Sequence, residues 1–432
     1  MRLGLAHSLA SSTLMGAASG PAPVLTLPFA NTRSLTAVVG PTPSFSRSSS
    51  ATYRDIDNSI QVVENGVPRF HYDESLAGST ATVTSAMFSG TLPFYSYADF
   101  ADIGFGVPTY LLSGQYLLYL NAGVWEIQNI QTSAIANAYT VAITLKSLGL
   151  LIEPAATNLF INSSTTRFVG YSFSVSNSSG STKGYVLSFD CGSISGPCEI
   201  TDDELAESVG GSTLKRTYYK FNLATGFSYG FTVSIGSIKN IQIEEVTDSD
   251  PYYSFGTSYI PTTSSPVTRA ADVCSITSTN FSNFYNASAG TFIVQYTTSQ
   301  NTGAYYVSLS NGDINQNSIS FRHNATNLTS DVIYRSANNE VANFTNIGSG
   351  ISDDGSPRKI ATSYSANNFS ACSNGGTVLT DSTGAVPTGI NQMYIGYDGT
   401  SDRVYYSSRS IASIKYYNVK LSDAEIQSLS QL

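Results

Sequence analysis

The sequence predicts an all-β protein, built of tandem β-sandwich, jelly-roll-like modules with an extended N-terminal arm and a short C-terminal helix. Three observations predict it. Charged residues make up 12% of the 432 residues, about half of the roughly 25% usual in soluble domains, and Ser, Thr, Asn, Gly and 28 Tyr take their place. β-Branched and aromatic side chains lose rotamer freedom in helices and pack well on a pleated surface, so this exchange favours strands. Short alternating segments recur between Gly, Ser and Asn clusters at the spacing of a sandwich, and helical signals are confined to two stretches.

The length exceeds one ordinary core and points to several modules in series. Residues 1–43 are a Pro-, Gly- and Ala-rich lead with one apolar segment, "VLTLPFA". The start imitates a secretory signal, with Arg2, an apolar stretch and small residues from Ala17 to Ser19, but His7 and several hydroxyls interrupt it. Free termini fray unless docked, so the lead is expected to be a docking arm. Residues 44–146 read as a β module, with "PSFSRSSSATYRDIDNSIQVVENGVPRFHYD" turning at Asp57-Asn58 and Asn65-Gly66. Its later part, 74–146, is an aromatic and aliphatic insertion that holds the single tryptophan, Trp125.

Residues 147–274 form a first sandwich, with strands such as "GYVLSFDCG" and "TYYKFNLATGFSYGFTVSIGSIKNIQIEEV". Within it, "TDDELAES" suggests a short helix opened by Thr201 and its acidic neighbours. Residues 275–432 repeat the strand pattern as a second sandwich. Its last segment, "LSDAEIQSLSQL", predicts the clearer helix: Ser422 and Glu425 form a capping box, and Leu421, Ile426 and Leu429 are spaced to face a sheet.

The net charge of −9 leaves no basic surface to displace counterions from a phosphate backbone, so nucleic acid is not an expected partner. Membrane insertion is not expected either, since no run reaches 18 apolar residues. Four cysteines, Cys191, Cys198, Cys274 and Cys372, are too few for a disulfide scaffold in a chain of this size. Cys191 and Cys198 flank "GSISGP", which leaves two readings open: a bridge across a turn, or two reduced thiols near a hairpin end. Their spacing is wider than that of zinc pairs, so no metal is expected there.

Three strings, "PSFSRSSSATYRD…GVPRFHYD", "GLLIEPAATNLF" and "GTSYIPTTSSPVTRAADV", resemble in that order a pattern found in tail and fibre proteins of bacteriophages and prophages. Residues 275–432 are similar to the concanavalin A-like, laminin-G-like lectin sandwiches that often close such chains, down to the terminal "LSDAEI" helix. The resemblance covers 44–73 and 147–432. In that family the first two strings usually lie close together, whereas here 74–146 separates them. The resemblance implies a virion protein assembled in the cytoplasm of a bacterial host, with residues 1–43 docking on other virion proteins. It also implies a lectin-like domain turned toward host surface polysaccharide. Weak sugar sites gain from repetition, so a symmetric homo-oligomer is expected, with a trimer favoured.

Glu153 stands after Leu150, Leu151 and Ile152 and directly before Pro154. Buried charges are normally paired, so Glu153 is expected to be a structural anchor that accepts a charge-assisted bond from Arg69 or Arg269. No catalytic residue is expected. His7, His71 and His323 are the only imidazoles, and none stands in a nucleophile or metal motif. Glycoside hydrolysis needs only two carboxylates from distant strands, which makes a glycan depolymerase the enzyme alternative. Asp353, Asp354, Asp398 and Asp402 fit turns first. The Asp398–Asp402 loop is also the one place for Ca²⁺, but a single loop rarely supplies six to eight oxygens, so no cofactor is expected.

Tyr-Tyr pairs begin at 218, 252, 305, 405 and 416. On a strand such a pair buries one ring and presents the other. Presented phenols suit sugar surfaces, which makes Tyr305, Tyr306, Tyr397, Asp398, Asp402, Arg403, Tyr405 and Tyr406 the candidate glycan contact; cross-strand packing or an intersubunit seam is the plainer reading. The expected function is therefore a non-enzymatic tail fibre or fibre-like adhesin, with glycan depolymerase and capsid decoration or cement protein as alternatives.

Overall fold

The structure, a computed structural model, describes residues 21–55, 59–72, 80–84, 109–112, 116–121, 124–132, 138–142, 147–192, 197–202, 208–211, 216–246, 256–297, 304–324, 329–347, 357–400, 406–407 and 410–432. It is all-β, with sheets paired antiparallel and three short helices among the described residues.

Two large sheets face each other in the C-terminal part. One runs Ser44–Ser46, Val273–Thr277, Gln392–Ile395, Tyr305–Ser310, Ser318–Asn324, Thr329–Ser336 and Asn339–Ile347 in spatial order. The other runs Leu379–Asp381, Asn368–Ser373, Pro357–Ser365, Ala289–Thr297, Ser410–Tyr417, Ser147–Leu151 and Arg69–Tyr72, and Leu25–Leu27 also pairs with Ser410–Tyr417. Alternation turns Phe292, Val294, Leu309, Phe321, Val332 and Ile414 into the shared core. Each sheet thus draws strands from far earlier in the sequence.

That corrects the reading of residues 21–43 as an arm. Leu25, Leu27 and Phe29 are fully buried in this core, because the strand pairs with Ile414–Tyr416 beyond the point where Ser147–Leu151, paired at Ser410 and Ile411, stops. Residues 1–20 lie outside the described residues.

A smaller sandwich occupies the middle of the chain. One sheet orders Arg167–Phe168, Ser237–Val246, Lys183–Cys191 and Thr217–Leu223; the other orders Ser172–Ser176, Ser228–Ile235, Cys198–Asp202 and Ser208–Gly211. Leu187, Phe189, Ile200, Phe231 and Ile243 fill the space between them. Cys191 and Cys198 form a disulfide that joins the two sheets. The helix expected over "TDDELAES" is displaced at both ends by strand: Thr201 pairs with Ser208, and Ile200 and Asp202 point into the interior. Alternating burial over Cys198–Asp202 outweighs the local acidic start signal.

The insertion holds a separate five-stranded sheet, ordered Thr80–Thr84, Ala138–Ala142, Val124–Thr132, Tyr116–Asn121 and Thr109–Leu112. Before it, Ala51–Arg54 and Ile60–Val63 pair as a hairpin; Asp57-Asn58, where a turn is expected, lies outside the described residues. The second expected turn holds Gly66 at φ +73°, a left-handed conformation suited to glycine, but its flanking strands do not pair with each other. The C-terminal helix, Asp423–Leu429, starts with the expected reciprocal cap between Ser422 and Glu425. Ile426 and Leu421 seal an outer layer over Ile293, Ala361, Cys372 and Tyr417, with Leu429 packed beside them.

Candidate functional site

The strands bring the three sequence strings to one point. Ser147–Leu151 pairs with Arg69–Tyr72 so that Leu151 lies opposite Arg69, which carries Glu153, two residues on, to the start of that strand. Pro154 has no N–H to continue a ladder, and the chain re-forms a strand at Ala156–Asn158 with Ala156 opposite Arg269. Ser44–Ser46 pairs with Val273–Thr277, which puts Arg47 next to Asp272. The backbones of Glu153 and Asp272 are tied together: the Asp272 N–H donates to the Glu153 carbonyl at 2.9 Å, and the Glu153 N–H donates to Asp272 Oδ2 at 2.9 Å.

Around this tie sit three arginines and two carboxylates, all buried. Arg69 Nη1 lies 2.7 Å from Glu153 Oε2, while its Nη2 donates to Asp272 Oδ2. Arg269 Nη2 is 3.4 Å from Glu153 Oε2 and donates to the Pro154 carbonyl at 2.7 Å. Arg47 Nη1 is 3.0 Å from Asp272 Oδ1. Ser258 completes the Glu153 shell, its N–H donating to Oε1 at 2.8 Å and its hydroxyl to Oε2 at 2.7 Å. Burial alone would push the Glu153 carboxyl up; Arg69 and then Arg269, with the Ser258 bonds, bring it down to about 2. Glu153 is therefore ionised at neutral pH, with both oxygens engaged and no proton to give as a general acid.

Arg69 or Arg269 is expected to meet Glu153; both lie against it, and Arg69 also grips Asp272. Asp272 and Arg47 were not singled out by the sequence; their signal was membership of the same strings, "TRAADV" and "SFSRSSS". Arg47 reaches further than its ion pair. Its Nη2 donates to the carbonyls of Glu64 at 2.9 Å and Val67 at 3.0 Å, so it organises the turn at Asn65-Gly66. A second buried group ties the early hairpin to the middle sandwich: Asp190 takes Arg54, Arg216 at 3.4 Å and the Asn240 amide at 2.7 Å.

The tyrosine edge differs from expectation. Tyr305, Tyr306, Tyr397 and Tyr406 are buried rather than presented. Tyr306 stacks on Tyr296 at 3.6 Å between ring centres, and Tyr397 stacks on Tyr406 at 5.1 Å. A register shift between Tyr305 and Val307 breaks the simple alternation of the pair. Asp398 is buried as well, and its Oδ1 accepts the Thr400 N–H at 2.8 Å and the Thr400 hydroxyl at 2.7 Å, the geometry of a turn. Asp402, Arg403 and Tyr405 lie outside the described residues, as do Asp353, Asp354 and His7. His71 and His323 are strand residues, opposite Gly149 and Ser330. Among the described residues no cluster of three His, Cys, Asp or Glu side chains could hold a metal.

No family model matches the chain, and no curated protein does. Solved structures that resemble part of it include the NanB sialidase of Streptococcus pneumoniae, at 16% identity and a TM-score of 0.31 over 36% of this chain and 26% of that one. Another is the CBM40 module of the Ruminococcus gnavus IT-sialidase bound to α2,6-sialyllactose, at 17% identity and 0.31 over 35% and 87%. The SAP-like pentraxin of Limulus polyphemus follows at 12% identity and 0.25 over 34% and 73%. The chain spans about a quarter of the sialidase NanB. Likeness of this degree assigns it no ligand and no activity.

Proposed function

We propose that the protein is a non-enzymatic, tail-fibre-like component of a bacteriophage or prophage virion whose C-terminal sandwich contacts a host surface glycan. One observation carries the reading. The three strings that resemble phage tail and fibre proteins supply Arg47, Arg69, Glu153, Arg269, Asp272 and Ser258, and these side chains close on one another in a single buried cluster. A cluster whose buried charges are paired with one another suits a rigid mount rather than a reaction centre. With the Tyr305, Tyr306, Tyr397 and Tyr406 rings buried, the glycan proposal falls to the remaining sequence candidates, Asp402, Arg403 and Tyr405.

The test uses the full chain and polysaccharide extracted from candidate host envelopes. Binding without release of reducing ends, weakened at least tenfold by Arg403→Ala with Tyr405→Ala, is the expected result. Steady release of reducing ends would replace this reading with a depolymerase. Absence of binding to any envelope fraction, with the chain found on the capsid of intact particles, would replace it with a cement protein.

A further inference from the structure

The sequence leaves the Cys191–Cys198 pair between a bridge and two thiols, and nothing in the proposed glycan contact uses it. Its surroundings are built for the bridge. Cys191 ends Lys183–Cys191 in one sheet of the middle sandwich and Cys198 begins Cys198–Asp202 in the other, so the bond crosses between layers. The edge strand Ser208–Gly211 closes over it, with Gly211 directly opposite Cys198. A Cβ on Gly211 would stand 2.2 Å from Cys198 Sγ and 2.9 Å from Cys191 Sγ, so a residue without a side chain leaves room for the bonded sulfurs and little more. Two unbonded thiols need more room than a bonded pair, because their van der Waals surfaces cannot overlap. The residue before Cys191 is Asp190, the acceptor of Arg54, Arg216 and Asn240.

We propose that Cys191 and Cys198 form a redox-controlled latch: as two thiols they hold the edge strand Ser208–Gly211 loosely, and once bridged they lock it and the Asp190 anchor. Oxidation proceeds by exchange with a small-molecule disulfide such as oxidised glutathione. One thiolate attacks the small disulfide and expels a thiolate; the second protein thiolate attacks the mixed disulfide and expels the other, and the two protons lost by the cysteines end on the two released small thiols. A chain made in a reducing cytoplasm would thus tighten on reaching an oxidising exterior. This does not depend on what the C-terminal sandwich binds.

All four cysteines are buried in the bridged protein, and burial pushes the Cys274 and Cys372 thiols up, so alkylation of the folded, reduced protein at Cys191 and Cys198 reads the loosening of the strand that covers that pair. Protein purified with reductant should take two labels, at Cys191 and Cys198, and after oxidised glutathione none. Oxidation should raise the melting midpoint by about 5 °C and slow amide exchange over 208–211. The variant carrying Cys191→Ala and Cys198→Ala should fold and lose the redox response. Gly211→Ala should lower the midpoint of the oxidised protein and cost clearly less in that double variant, where the 3.1 Å approach to Phe189 Cε2 remains but the two sulfurs are gone. Labels retained at Cys191 or Cys198 after oxidation, equal midpoints in the two states, or a Gly211→Ala effect undiminished in the double variant would overturn the proposal.

Discussion

Glu153 shows how much one side chain can decide. Its carboxyl titrates at about 2 in the folded protein against an ordinary value of 4.5, so the stability it contributes is fully present above pH 4.5 and is lost as pH falls toward 2. That difference corresponds to about 3 kcal/mol, and acid titration of the unfolding free energy should show it, with Glu153→Gln flattening this part of the curve. Glu153→Ala leaves Arg69 and Arg269 to share Asp272 alone among the described carboxylates, a class of change that typically costs about 3–5 kcal/mol; chemical denaturation should register the loss at neutral pH. Gly149 sets the approach to this carboxylate. It has φ +113°, and a Cβ there would lie 2.1 Å from the Ile411 carbonyl oxygen. Gly149→Ala should therefore lower the melting midpoint as severely as losing the ion pair, with no charge removed. The pairing of Glu153 was legible because a lone acid after Leu150, Leu151 and Ile152 needs a cation, and the flanking strings offered Arg69 and Arg269 among their arginines. Asp272 was not, because a short acid three residues after Arg269 looks like any surface turn until the strands cross.

Elements were legible where one face of the sequence faced water. The helix Asp423–Leu429 is such a case, since its cap and its apolar spacing are both local. Ser422→Ala removes the acceptor for the Glu425 N–H and should cost about 1 kcal/mol, measurable by thermal melting. Fraying of that helix uncovers Cys372, so the same variant should alkylate there faster than the parent. The tyrosine pairs at 305 and 416 were misleading because both faces of their strands are covered. Tyr416 lies in the sandwich core and Tyr417 lies under the C-terminal helix, so alternation distributes the rings between two interiors rather than between core and solvent. The strand Leu25–Leu27 was hidden for a related reason: the four residues between Pro23 and Pro28 are too few to show a period, and only the partner Ser410–Tyr417 reveals what they do.

At the scale of the whole molecule the sandwich is not a C-terminal domain in sequence. Leu25–Leu27, Ser44–Ser46, Arg69–Tyr72 and Ser147–Leu151 all pair into its sheets. A fragment of residues 275–432 lacks them and should give no cooperative melting transition, whereas residues 21–432 should melt as the full chain does. Such non-local pairing also raises the contact order, and refolding should be correspondingly slow. The ladder of Arg69–Tyr72 with Ser147–Leu151 has another bearing. Tyr72 and Ser147 are register partners, so whatever stands between them leaves and returns at neighbouring points of one hairpin. The pairing of Tyr72 with Ser147 asks of that excursion that its two ends lie close together, which makes residues 73–146 a natural graft port: replaced by Asn-Gly or by an unrelated module of like ends, they should leave the rest of the chain folded.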